Sequence, residues 1–69
     1  MELRLDRLPV GGGGVVTKIK NAPRLQAVGL IPGAQVCCKY KSRGVAVLAI
    51  EKRRIALRLR MLRRVWVDY

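Results

Sequence analysis

The sequence contains no histidine, no phenylalanine and only four acidic residues. Transition-metal sites commonly combine imidazole with carboxylate ligands, and nucleophilic catalysis by a hydroxyl needs an adjacent base. The carboxylates of Glu2, Asp6, Glu51 and Asp68 are scattered, and no two lie three or four residues apart on the predicted helix. These absences predict that one chain has no catalytic site, no metal site and no cofactor.

Cysteine is scarce too: Cys37 and Cys38 are the only two, and they are neighbours. Adjacent residues on a strand point to opposite faces, so this pair is unsuited to an ordinary disulfide or to the chelation that C-x-x-C pairs perform. We expect Cys38 to be a core residue and Cys37 an outward-facing thiol. The lack of a disulfide framework is typical of a reducing compartment.

Long hydrophobic runs are also missing. The longest, Gly44 to Ile50, is well short of the roughly 20 residues that cross a bilayer. The first residues lack the apolar segment of a signal peptide. A chain of 69 residues buries only roughly 60% of its unfolded surface and cannot wall a deep cavity. We therefore expect a single cytoplasmic domain that spans residues 1–69.

Positive charge is abundant: fifteen Lys and Arg residues give a net charge of +11. Between residues 39 and 64 there are ten basic residues and a single acid, Glu51. A field of this sign attracts nucleic acid, anionic lipid or an acidic protein surface. The alternative is that these residues form only a solvated face.

Glycine and proline divide the first half of the chain. The run Gly11–Gly14 is poorly suited to a strand interior, so it is expected to be a loop before a strand at residues 15–20. Asn21 is expected to cap a short helix with Pro23 in its first turn. Gly29 would end this helix in a left-handed conformation, and Pro32-Gly33 predicts a type II turn.

From residue 34 onwards the hydrophobic period becomes two, which indicates strands. Val36, Cys38 and Tyr40 share one face of the strand predicted at residues 34–41. After a turn at residues 42–44, the continuous apolar strand 45–50 is expected to be buried on much of both faces. The remaining predicted elements are a polar turn at residues 51–53, a strand at 54–58, a helical turn at 61–64 and a closing strand at 65–67. About five short strands and one short helix predict a mainly β protein, a small and partly open β-barrel.

The segment RLQAVGLIPGAQV, Arg24 to Val36, resembles the signature of the FeoA family (ferrous iron transport protein A), whose members are small SH3-like barrels. The segments RIALR at 54–58 and VWV at 65–67 resemble its last two strands, and residues 5–19 fit its opening. The chain departs from the family in a short connection before Arg24, a hairpin without glycine and a high positive charge. The signature positions are Arg24, Leu25, Gly29, Leu30, Pro32 and Gly33.

The resemblance implies a non-catalytic accessory role in bacterial ferrous iron uptake. FeoA-like proteins act on the cytoplasmic side of FeoB, a membrane permease with a GTP-hydrolysing domain, so the expected location is the cytoplasm beside the inner membrane. An anionic membrane surface and self-association are further partners that the sequence leaves open. The alternative function is a small basic β-barrel that binds RNA or other nucleic acid through phosphates, although only Tyr40, Trp66 and Tyr69 could stack on bases.

Alternation on the last two predicted strands defines a candidate partner-binding surface. If Ile55 and Leu57 point inwards, their neighbours point outwards, and Val65 and Val67 likewise place Trp66 outside. Tryptophan and arginine are enriched among binding hot spots. The alternative is that Trp66 covers the end of the barrel against the N-terminal leucines. The candidate residues are Arg54, Arg58, Arg60, Arg63, Arg64 and Trp66.

Overall fold

A computed structural model describes all 69 residues. Six strands make up most of the chain: β1 (Glu2–Arg4), β2 (Gly13–Ile19), β3 (Gln35–Ser42), β4 (Val45–Ile50), β5 (Arg53–Arg58) and β6 (Val65–Asp68). The helical elements are one short α-helix, α1 (Pro23–Ala27), and two 3-10 helices, at Leu5–Arg7 and Leu59–Arg64. None of the helices is long and apolar enough to span a membrane.

The strands form one antiparallel sheet in the order β1-β6-β2-β3-β4-β5. The sheet is not closed, because its hydrogen-bonded ladders end at β1 on one side and at β5 on the other. The predicted mainly β class and open barrel are thus confirmed. The structure has one strand more than the five predicted, namely β1. It pairs with β6, and Leu3 lies opposite Val67.

The core contains only apolar side chains, and no polar or charged residue is buried. The sheet, α1 and both 3-10 helices all contribute side chains to the core. Leucines outside the strands therefore fill the space that the sheet leaves. A core of this kind stabilises the fold through removal of apolar surface from water. Its largest members are Leu5, Leu8, Leu25, Leu30, Leu48, Ile50 and Leu62.

The signature segment contributes turns and core contacts. Gly29 has φ +103° and Gly33 has φ +95°, as predicted. The N–H of Ala34 donates to the carbonyl of Ile31 at 3.0 Å and closes the Pro32-Gly33 turn.

Among the other signature positions, Leu25 and Leu30 are buried, whereas Arg24 and Pro32 are exposed. The helix cap was predicted wrongly.

Asn21 does not cap α1. The N-cap is Ala22, without a side-chain hydrogen bond, and Asn21 has φ 49°. Proline disfavours helical backbone angles at the residue before it, so Ala22 is non-helical and α1 begins one residue later, at Pro23. Pro23 occupies the first turn as expected.

The glycine run is not wholly a loop. Gly13 and Gly14 belong to β2 and pair with Cys37 and Val36 of β3. A Cβ on Gly14 would lie 2.5 Å from the carbonyl oxygen of Asp68. The absence of a side chain therefore lets β2 lie against β6, which is a reason for glycine within a strand.

The outward position of Tyr40 corrects the predicted face of β3. Val36 and Cys38 are buried as expected, and Cys37 is half-buried on the other face, but Tyr40 is 59% exposed. The register with β4 shifts between Cys38 and Tyr40. Such a bulge adds one residue to the strand, so the residues after it exchange faces.

The β4–β5 hairpin is close to its prediction. Its turn is two residues long, Glu51-Lys52, and β5 begins one residue earlier than expected. Ala46, Leu48 and Ile50 are fully buried. The opposite face of β4 is less buried than expected: Val47 and Ala49 are half-buried, and Val45 is 37% exposed at the end of the strand.

A basic cleft beside the closing strand

Trp66 lies on the outer face of the sheet. Its neighbours Val65 and Val67 are 0% exposed, and alternate residues of a strand point to opposite faces. Trp66 is half-buried but does not pack on the core, whereas Leu5 and Leu8 do. The alternative in which Trp66 covers the barrel end against the N-terminal leucines is therefore wrong.

Two basic residues flank Trp66 across the sheet. In the register, Arg4 of β1 is opposite Trp66 on one side and Lys18 of β2 is opposite it on the other. The Nζ atom of Lys18 lies 4.8 Å from the centre of the indole ring. This distance is within the range of a cation–π interaction, which helps to hold the indole on the outer face.

The 3-10 helix at Leu59–Arg64 supplies three arginines. Side chains three residues apart eclipse one another in a 3-10 helix, so Leu59 and Leu62 share the side that faces the core. Arg60 and Arg63 therefore share a different side, and both are exposed. The packing of Leu62 thus determines where Arg60 and Arg63 point.

The connection between β2 and α1 completes the site. The N–H of Lys20 donates to the carbonyl of Arg64 at 2.9 Å, and the guanidinium of Arg64 donates to the carbonyl of Asn21 at 3.3 Å. These bonds hold the connection against the end of the 3-10 helix. Lys20 is thereby brought beside the arginines.

Together these elements form a cleft of about 400 Å³, which we call the Trp66 cleft. Five of its residues are basic and none is acidic. The protein has two ion pairs, and only one involves the cleft: Arg4 Nε lies 3.1 Å from Asp6 Oδ1. The other four cations therefore project an unneutralised positive field. The cleft is lined by Arg4, Lys20, Asn21, Arg60, Arg63, Arg64 and Trp66.

Four of the six residues expected from the sequence meet in this cleft: Arg60, Arg63, Arg64 and Trp66. Arg54 and Arg58 are exposed on β5, as alternation predicted, but they do not line the cleft. Arg4, Lys18 and Lys20 were missed because contacts with distant residues bring them to Trp66: strand pairing for Arg4 and Lys18, and a backbone bond to Arg64 for Lys20. The sequence carried a signal for Arg4 only. Arg4 lies between Leu3 and Leu5, and this alternation is typical of a strand.

No set of three His, Cys, Asp or Glu residues is grouped so that it could hold a metal ion. Cys37 and Cys38 are free thiols on opposite faces of β3. The donor set of one chain, without imidazole and without a cluster, does not fit a resident transition metal.

Residues 3–69 match the family model of the FeoA domain. A crystal structure described as an iron uptake regulatory protein (FeoA) is 28% identical, with coverage of 99% of this chain and 96% of that chain and a TM-score of 0.90. Stenotrophomonas maltophilia FeoA complexed with zinc, described as a prokaryotic SH3 domain protein, is 26% identical, with coverage of 96% and 89% and a TM-score of 0.86.

A manganese-dependent transcriptional repressor contains the same fold. The identity is 18%, the TM-score is 0.86, and the match covers 96% of this chain but 40% of the repressor. At this identity the likeness concerns the fold alone. No curated protein sequence matches the chain significantly.

Proposed function

The chain belongs to the FeoA family, and from this premise we propose that it docks on the cytoplasmic portion of a FeoB-like permease through the Trp66 cleft. The family is one of small accessory domains involved in ferrous iron transport. Its Stenotrophomonas maltophilia relative is described as a candidate activating factor for that transport. In this proposal the chain catalyses nothing and iron is the cargo of the permease.

The observation that carries the proposal is the outward tryptophan among unpaired arginines. Trp66 is outside the core although it is the largest apolar side chain of the protein. Arg60, Arg63 and Arg64 border it without carboxylate partners. Buried aromatic and arginine anchors dominate the binding energy of many interfaces, and here both residue types already lie in one concave surface.

The charge of the cleft indicates the chemistry of the partner's surface. A protein surface rich in Asp and Glu would be attracted to it and would associate faster at low salt. The cytoplasmic location belongs to the same proposal, because the permease carries its GTP-hydrolysing portion on that side.

The test is binding of the purified chain to the isolated cytoplasmic portion of the permease, followed by interferometry. Trp66→Ala should weaken binding by about 2 kcal/mol or more. Its melting temperature should fall by only a few degrees, because the lost contact with Lys18 is worth about 0.5–1 kcal/mol, whereas truncation of a core tryptophan would cost about 3–5 kcal/mol. Tyr40→Ala, which removes an exposed aromatic outside the cleft, is the matched control.

Charge reversal tests the electrostatic part. Arg63→Glu with Arg64→Glu should slow association and flatten its salt dependence. The control with the same change in net charge is Arg7→Glu with Arg43→Glu, at two exposed arginines outside the cleft, and it should change both less. If Trp66→Ala and the reversal at Arg63 and Arg64 bind like the parent, the contact lies elsewhere on the protein.

Nucleic acid is the less favoured occupant. Proteins that bind single strands stack successive bases on several aromatic side chains, and Trp66 is the only aromatic residue in the cleft. A filter-binding measurement with single-stranded RNA at physiological salt should therefore show weak binding only. Tight RNA binding that Trp66→Ala abolishes would support the nucleic-acid function instead.

A further inference from the structure

The free edge of β5 has a regular hydrogen-bonding pattern. β5 pairs with β4 only, and the N–H of Leu59 donates to the carbonyl of Gly44 at 2.8 Å just beyond the paired residues. Hydrogen-bonded and non-bonded pairs alternate along an antiparallel ladder. Arg53, Ile55 and Leu57 therefore bond to β4, and the backbone groups of the residues between them point away from it.

The backbone N–H and C=O groups of Arg54 and Ala56 have no hydrogen-bond partner elsewhere in the protein. Both side chains are exposed, whereas Ile55 between them packs against the core. β5 is thus hydrogen-bonded along one edge and packed on its inner face, and its other edge is free. Unpaired groups along a strand edge are a template for a further strand.

The positive charge of this edge determines which kind of strand can pair with it. Arg54 and Arg58 lie on the exposed face of β5 and take part in no ion pair. The nearest acid along the chain, Glu51, accepts a hydrogen bond from the N–H of Gln35 at 3.1 Å. Like charges on neighbouring strands repel and opposite charges attract. The edge therefore disfavours pairing with the same edge of a second copy and favours a strand with carboxylates.

A small cavity of about 130 Å³ opens at the start of this edge, between the end of α1 and β5. Consecutive residues of β5 line it, so it runs beside the strand. The guanidinium of Arg53 closes one side by donating to the carbonyl of Val28 at 3.0 Å. Most of its lining is apolar: Ala27, Val28, Ile50 and Ile55, with Arg53 and Arg54 at the border.

We propose that the edge of β5 binds an extended acidic segment of a partner protein by strand addition. The main-chain groups of the segment pair with Arg54 and Ala56, an apolar side chain enters the cavity beside α1, and carboxylates lie near Arg54 and Arg58. In such complexes the backbone bonds provide affinity and the pockets provide specificity. This surface is separate from the Trp66 cleft, so the proposal does not depend on docking there.

The first test uses labelled peptides and fluorescence anisotropy with the full chain. The probe is a synthetic peptide of alternating valine and glutamate; the comparison peptides carry lysine for glutamate, or N-methyl groups on one or the other set of alternate residues. The acidic peptide should bind, the lysine peptide should not, and one of the two N-methylated peptides should lose binding. If both N-methylated peptides bind like the parent, the attraction is only electrostatic and strand addition is wrong.

The second test changes the protein. Ala56→Pro removes an N–H that does not belong to the β4 ladder, and proline is tolerated on strand edges of this kind. This substitution should weaken binding of the acidic peptide about three- to tenfold, the effect of one lost hydrogen bond, and its melting curve should show a folded protein. Arg54→Glu should weaken binding of the same peptide more than the matched reversal Arg7→Glu. Equal effects of the two reversals, or parental affinity in folded Ala56→Pro, would overturn the proposal.

Discussion

Alanine at Gly14 should destabilise the protein, because β2 and β6 approach too closely there for a side chain. The added Cβ would lie 2.5 Å from the carbonyl oxygen of Asp68 and 3.2 Å from its carbonyl carbon. Heavy atoms attract best at about 3.5–4.0 Å. Both obstructing atoms belong to the backbone of a paired strand, so no rotamer change relieves the contact and β2 must move away from β6.

The expected cost follows from two opposing terms. Overpacking of this kind costs about 1–3 kcal/mol, and replacing glycine within a strand returns about 0.5–1 kcal/mol. With the middle of each range, the net loss is about 1 kcal/mol in the free energy of unfolding, and at most about 2.5 kcal/mol. In a domain of this size each kcal/mol shifts the melting temperature by about 4–8 °C, so a decrease of about 4–8 °C is expected from circular dichroism.

Gly13→Ala is the matched control. Its Cβ would lie 3.4 Å from the carbonyl oxygen of Val36 and 3.8 Å from Cys37 Cβ, which are ordinary contacts. Neither Gly13 nor Gly14 has a positive φ, so backbone strain does not separate the two variants. Gly13→Ala should melt at or above the parental temperature. A Gly14→Ala protein that melts as high as Gly13→Ala would refute the close approach of β2 to β6.

Three further outcomes are expected. Gly29→Val places a β-branched residue at φ +103° and should cost about 1–3 kcal/mol in a thermal melt, whereas Ala27→Val on the exposed side of α1 should cost less. Leu62→Ala removes a fully buried side chain and should cost about 2–5 kcal/mol, against about 0.5 kcal/mol or less for exposed Arg63→Ala. An anaerobic calorimetric titration with ferrous iron should show no tight site; one tight site per chain would contradict the absence of a ligand cluster.

Local patterns predicted much of the fold because they involve neighbouring residues. The period of two in β5 and β6 correctly placed Ile55, Leu57, Val65 and Val67 inside. It favoured an outward Trp66 but left open the alternative in which Trp66 packs against the N-terminal leucines. The turn at Pro32-Gly33 was also predictable, since proline and glycine restrict their own backbone angles.

The errors occurred where a contact with a distant strand overrides local preference. Gly13 and Gly14 have poor strand propensity, yet the close approach of β6 makes glycine suitable in β2. The alternation of β3 holds only as far as Cys38, because the register shift with β4 after that residue moves Tyr40 outwards. Asn21 was a local error: Pro23 excludes helical angles at Ala22, so α1 starts one residue later than a cap at Asn21 requires.

The sequence by itself determined the class of the protein, its positive charge and the absence of histidine, because these depend on composition and on the spacing of adjacent side chains. Only the tertiary structure decided that Trp66 lies on the outer face and which basic residues surround it. Arg4 and Lys18 reach it because β1 and β2 both pair with β6, and Lys20 reaches it through a bond to Arg64. Arg54 and Arg58, which alternate as predicted, belong instead to a free sheet edge, because strand order is set by pairings between residues far apart in the chain.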